Sequence, residues 1–282
     1  MVALGSTSQT YLVANLHYVN EPLVNMREHP SHASKIVSQA LFAEEVTICE
    51  KKNAWSLIKT SEGYSGWVFN DGIVSRQDVY SHQIMTSRLN ATIYKEKDIE
   101  YGPMKILPYG SKLNRIDMED PRWYKVVLPD NCEGYIQKGD AGIEPPLVSQ
   151  AELVYFSQKF LGIPYIWGGR SSFGYDCSGF VQMLYNQMGI LLPRDSKEQI
   201  QDPRFKDIPL NTIEAGDLIF FGKSREKIMH VGLFLGNNQF IHTSIRENMP
   251  WVRISRLSDF EWSGHVDAYY PFRAARQLVS TR

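Results

Sequence analysis

Three side chains far apart in the chain, Cys177, His230 and His242, have the types needed for nucleophilic catalysis by a thiol. That chemistry needs a base within hydrogen-bond reach of the sulfur and a third group that fixes the base's tautomer. Spacing favours a meeting of the two histidines. They flank Gly236-Asn237-Asn238, a strong hairpin signal. With a three-residue loop, pairing is symmetric about Asn237 and His242 stands opposite Gly232. His230 is then its diagonal neighbour on the same face, with Cα atoms ~7–8 Å apart. A two-residue turn would put the rings on opposite faces, so the expectation depends on register. Two unrelated strand histidines are the plain alternative.

The sulfur must be positioned by the stretch Tyr175-Asp176-Cys177-Ser178-Gly179-Phe180-Val181. From Phe180 the apolar residues fall at Val181, Leu184, Tyr185 and Met188, which suits one face of a helix. Asp176 is a good N-cap and Gly189 a C-terminal stop. Cys177 would then lie in the first turn, where unpaired N–H groups and the helix dipole favour thiolate over thiol. The alternative is a small buried cysteine that packs as an apolar residue. Zinc is the rival use of Cys, His and His. However, the chain has no C-x-x-C, no H-x-x-x-H and no obvious fourth ligand, so neither metal nor cofactor is expected. His17, His29, His32, His82 and His265 have no company that marks them.

The chain of 282 residues has room for roughly two or three domains. Thirty basic against 31 acidic residues leave a net charge of −1, which gives no electrostatic case for nucleic acid or anionic membrane. No apolar run approaches the roughly 20 residues of a spanning helix. The N-terminus lacks a basic start and breaks its apolar run early, unlike a secretory signal. Cys49, Cys132 and Cys177 are odd in number and far apart, which argues against a disulfide framework. A reduced, cytoplasmic setting is expected, with export to periplasm or wall left open.

Residues 1 to about 20 read as an arm with a short strand at 11–14. From there to about 143 the chain shows short β-rich runs between turn residues, as small barrels do. Trp55 and Trp123 lie 68 residues apart, as do Gly66 and Gly134. Each Trp strand leads to a Gly-aromatic-aliphatic strand, Gly66-Trp67-Val68 and Gly134-Tyr135-Ile136. This pattern resembles two bacterial SH3-like barrels, the first with the arm at 1–82 and the second at 83–143. Glu144-Pro145-Pro146 is a stiff break. After it come helix starts at Ser149 and Asp195, each with an acid three residues on, then strands within 217–244. Helices followed by an antiparallel sheet make an α+β domain at 144–282. The tail at 274–278 reads as a helical turn or a frayed end.

Residues 148–272 resemble the catalytic domain of the NlpC-type, papain-like cysteine peptidases of bacterial cell-wall turnover. The matching pieces include Pro164-Tyr165-Ile166-Trp167-Gly168-Gly169, the Asp176-Cys177-Ser178-Gly179 turn, Pro193-Arg194-Asp195-Ser196, His230-Val231-Gly232 and Phe240-Ile241-His242. The resemblance implies Cys177 as nucleophile, His230 as general base, His242 as the orienting third member and Tyr165 at the oxyanion hole. Two SH3-like modules before such a domain resemble the subfamily that cleaves γ-D-glutamyl–diamino acid bonds in stem peptides with a free N-terminal L-Ala. The resemblance implies Asp176 as anchor of that ammonium, with Ser178 and Ser196 beside it and Glu28 and Tyr64 closing the pocket from the first barrel. The implied partner is a peptidoglycan stem peptide met by a monomer, in murein recycling or wall remodelling. A related thiol amidase or acyltransferase, or a wall-binding protein with an inert C-terminal domain, would use the same parts differently.

Overall fold

A computed structural model describes residues 15–117, 119–262 and 271–279. The expected strand at 11–14 and His265 lie outside the described residues. The arm contributes the strand Leu16–Val19, paired with Ile73–Arg76. A five-stranded antiparallel sheet follows, in spatial order Ile36–Leu41, Leu23–Arg27, Ser65–Phe69, Trp55–Lys59, Thr47–Lys52. It closes over a core that includes Val19, Met26, Ile58 and Val68. A second sheet of seven strands spans Ile84–Thr86 to Ala141–Gly142 and buries Ile93, Leu107, Val126 and Ile136. Phe42 of the first unit sits in that second core.

The echo between the two units holds in three dimensions. Ile58 pairs with Gly66 and Trp55 with Phe69. In the second unit Val126 pairs with Gly134 and Trp123 with Gln137, the same register 68 residues on. Each Trp meets an aromatic edge, Trp55 against Phe69 at 5.6 Å and Trp123 against Tyr94 at 5.5 Å.

The C-terminal part packs helices against a six-stranded antiparallel sheet. Its order is Phe205–Ile208, Phe272–Leu278, Leu218–Ser224, Lys227–Gly236, Gln239–Ser244, Trp251–Arg256. The helix Gln150–Ser157 opens on a full capping box between Ser149 and Glu152. The helix Cys177–Asn186 buries Phe180, Val181, Leu184 and Tyr185 against Leu218, Phe220, Val231 and Leu233 of the sheet. The tail is a strand, Phe272–Leu278, and not a helical turn. Its Ala-Ala-Arg run has helical propensity, but two flanking strands take its backbone into their ladders. No described helix is long and apolar enough to cross a membrane.

The first unit is fastened to the catalytic part along the strand Ile36–Leu41. Trp167 Nε1 donates to the Ile36 carbonyl at 3.0 Å, and Arg170 donates to the Gln39 carbonyl at 2.7 Å. The same guanidinium pairs with Glu44 at 3.3 Å and Glu62 at 3.1 Å. Tyr109 of the second unit packs on Phe156 and Phe160 and donates to Gln187. Buried charged contacts of this kind fix orientation more than they add stability.

Candidate active site

Cys177 is the first residue of its helix and lines a cavity of about 350 Å³ together with His230, Tyr165, Asp176 and Ser196. The thiol takes backbone N–H groups from Ser178 and from Val231, the residue after His230. That second contact sets the sulfur against the histidine strand. Asp176 caps the helix as its type and place dictate, with Gly179 N–H donating to Oδ1 at 2.8 Å. Gly168 N–H reaches Oδ2, and Arg194 grips both oxygens at 3.0 and 2.6 Å. Ser178 donates to the same carboxylate and accepts from Arg194.

His230 and His242 share a sheet face, and His230 Nε2 lies 3.0 Å from His242 Nδ1. The expected register holds, but the expected loop does not. Asn237 and Asn238 form a two-residue turn, both with positive φ, between paired Gly236 and Gln239. A bulge between Phe234 and Gly236 leaves Leu235 unpaired and restores the parity, so that Leu233 meets Ile241. His242 Nε2 in turn lies 3.0 Å from Ser255 Oγ. Trp262 stacks on His230 at 5.2 Å and stands edge-on to His242 at 4.9 Å, which keeps the pair dry.

The burial of the sulfur opposes the effect of its place at the helix start. Burial and the Asp176 charge push the Cys177 thiol up to about 12, against the Val231 and Ser178 N–H groups and Arg194. Burial holds His230 down to about 3, aided by Arg253 and Arg246, and lowers His242 as well. Burial thus disfavours the charged form of the thiol and of both imidazoles. Burial, then the nearby Cys177 and Asp176, raise Tyr165 above the ordinary phenol range. It remains a hydrogen-bond donor at any working pH.

Ser196 and Asp195 face the cavity at the start of the short helix Ser196–Gln199. Asp195 occupies the N-cap position but makes no capping bond, and its carboxylate pairs at 3.6 Å with Lys197, which also lines the cavity. Tyr64 of the first unit lies within the field of Asp195 but does not line this cavity; it lines a neighbouring one with Pro193, Glu198 and Arg204. Burial first, and Asp195 next, push the Tyr64 phenol up to about 12. Glu28 is not brought in: it is exposed beyond the end of Leu23–Arg27, its backbone tied to Lys35, and it does not line the cavity. Four residues of the site were not singled out from sequence: Arg194, Asp195, Ser255 and Trp262. The first two lie in the Pro193–Ser196 motif, where their roles could have been weighed. Nothing local marks the other two.

A thiol at a helix N-terminus, facing a histidine pair borne on an antiparallel sheet, defines a papain-like cysteine hydrolase. The chain matches the NlpC/P60 family over residues 162–269 and a bacterial SH3 domain over residues 22–74. It is 29% identical over 258 residues to the gamma-D-glutamyl-L-lysine dipeptidyl-peptidase of Bacillus cereus, covering 85% of this chain and 75% of that one. The Bacillus subtilis protein of that name is 30% identical over 223 residues, covering 74% and 72%. The crystal structure of an NlpC/P60 family protein from Bacillus cereus superposes with a TM-score of 0.81 over 94% of this chain and all of that one, at 23% identity. This protein belongs to the NlpC/P60 family of cysteine peptidases and carries a bacterial SH3 domain ahead of its catalytic part.

Proposed function

We propose that the chain hydrolyses the γ-D-glutamyl–diamino acid amide of peptidoglycan stem peptides whose N-terminal L-Ala is free. Two relatives bear the name of gamma-D-glutamyl-L-lysine dipeptidyl-peptidase. The observation that carries the reading is the wall the first unit builds on the cavity. Val37 lines it, and Ser38 of the same strand accepts from buried Arg194 at 3.0 Å. A strand of the first unit at the cavity wall narrows the room for a longer, glycan-joined peptide, which favours short soluble peptides and a role in recycling. Asp195 and Tyr64 are the better pair for the L-Ala ammonium. The Asp176 carboxylate is already neutralised by Arg194 and filled by five donors. Ser178 and Ser196 line the same end.

In this mechanism Cys177 attacks the γ-carbonyl while its proton passes to Nδ1 of His230, since Nε2 is engaged with His242. The Tyr165 phenol donates to the oxyanion. His230 then protonates the leaving amine and activates water for deacylation. The repeated register supports reading residues 83–143 as a second, diverged SH3-like barrel, with 1–82 and 144–282 as the other two units. The test is incubation of L-Ala-γ-D-Glu-L-Lys beside its N-acetyl derivative. The free tripeptide should yield L-Ala-γ-D-Glu and lysine, the blocked one nothing, and Cys177→Ala should be inert yet folded. Cleavage of both peptides at equal rates would refute the free-amine reading.

A further inference from the structure

The relay does not end at the second histidine. Ser255 lies on the edge strand Trp251–Arg256, two residues on from Arg253, the partner of His242 in the ladder. It is therefore the diagonal neighbour of His242, as His242 is of His230. Its hydroxyl stands 3.0 Å from His242 Nε2, and both side chains are buried.

Proton positions follow from these contacts. Nε2 of His230 is committed to His242 Nδ1 at 3.0 Å, which leaves only Nδ1 of His230 for the Cys177 proton. A neutral His230 with an open Nδ1 carries its proton on Nε2 and donates it to His242. His242 must then carry its own proton on Nε2, aimed at Ser255.

We propose that Ser255 is a positioning residue that accepts this proton and holds both imidazoles in the tautomers general-base catalysis requires. The inference rests on the roles assigned to Cys177 and His230, but not on the identity of the peptide cleaved. Without the hydroxyl, His242 Nε2–H would be buried and unpaired, and the ring would move its proton to Nδ1. That proton would face His230 Nε2 and drive the His230 proton onto Nδ1, where the thiol must deliver its own. Becoming an imidazolium is no escape for His242, because burial and the charges of His230 and Arg253 oppose it.

The experiment combines histidine nitrogen NMR on the full chain with the rate of Cys177 alkylation by iodoacetamide, followed by mass spectrometry. In the wild type His242 should be protonated on Nε2. Ser255→Ala should move that proton to Nδ1 and slow both alkylation and kcat on L-Ala-γ-D-Glu-L-Lys by about tenfold to a hundredfold, with KM little changed. Ser255→Thr, which keeps the hydroxyl, should restore both. A wild-type His242 protonated on Nδ1 overturns the proposal, as does Ser255→Ala with unchanged alkylation. The wild-type spectrum decides alone if that variant does not fold. An uncleaved tripeptide would count against the substrate reading only, since the NMR and alkylation readouts need no peptide.

Discussion

His230 and His242 meet at 3.0 Å because Leu235 is bulged out of the hairpin that joins them. The turn alone pairs Gly236 with Gln239, and continued without interruption it would send the two rings to opposite faces. One unpaired residue changes the parity of the whole strand above it. The position of His230 relative to His242 is thus set by a count of residues rather than by any side chain in the turn.

Deleting Leu235 should therefore abolish turnover, whereas Leu235→Ala, which keeps the count, should retain measurable kcat/KM. Steady-state assays of the two variants, with circular dichroism to follow folding, make the comparison. Equal activity in both would show that the bulge does not set the register.

Local signals were legible and long-range ones were not. Asp176 and Ser149 cap their helices because a cap is chosen within four residues of sequence. The hairpin register was read correctly from a wrong loop length, because the bulge at Leu235 offset the shorter turn. Asp195 carries a capping signature, yet no capping bond forms and its carboxylate pairs with Lys197 at the cavity instead. Ser255 could not be found by inspection, since its role depends on which strand pairs with His242. The surroundings of the Cys177 thiol were hidden for a similar reason. A helix start is visible in sequence, but burial beside Asp176 is not.

The buried histidine pair should make the fold acid-sensitive. Burial lowers His230 from 6.5 to about 3 and lowers His242 as well, so below pH 6.5 the unfolded chain binds protons that the folded chain refuses. Stability is then full above pH 6.5 and lost as pH falls. Between pH 7 and 5 His230 should contribute about 2 kcal/mol to that loss, and His242 should add to it in the same direction. Urea unfolding at the two pH values measures it. The loss should shrink in a variant with both histidines replaced by Gln; the same loss in both proteins would assign it to other groups.

Recognition of the free amine should fail in a graded way. On the proposed reading, Asp195→Asn removes the charge that meets the ammonium. It should lower kcat/KM for L-Ala-γ-D-Glu-L-Lys by about tenfold to a hundredfold, chiefly through KM. Tyr64→Phe should cost less, because only a neutral donor is lost. If Asp176→Asn raised KM alone while Asp195→Asn did nothing, the ammonium would belong to Asp176 after all.

Arg194 ties three parts of the molecule together, with Asp176 of the nucleophile helix, Ser178 behind the thiol and Ser38 of the first barrel all on one guanidinium whose side chain is 1% exposed. Arg194→Met leaves the Asp176 carboxylate buried without its counter-charge and should destabilise the protein by about 3–5 kcal/mol. Adding Asp176→Asn removes the orphaned charge, so the double variant should be more stable than Arg194→Met alone. Urea unfolding of both single variants and the double variant gives the coupling. Additive losses would mean that the two residues act apart, whereas recovery in the double variant identifies their ion pair as the clamp between barrel, helix and thiol.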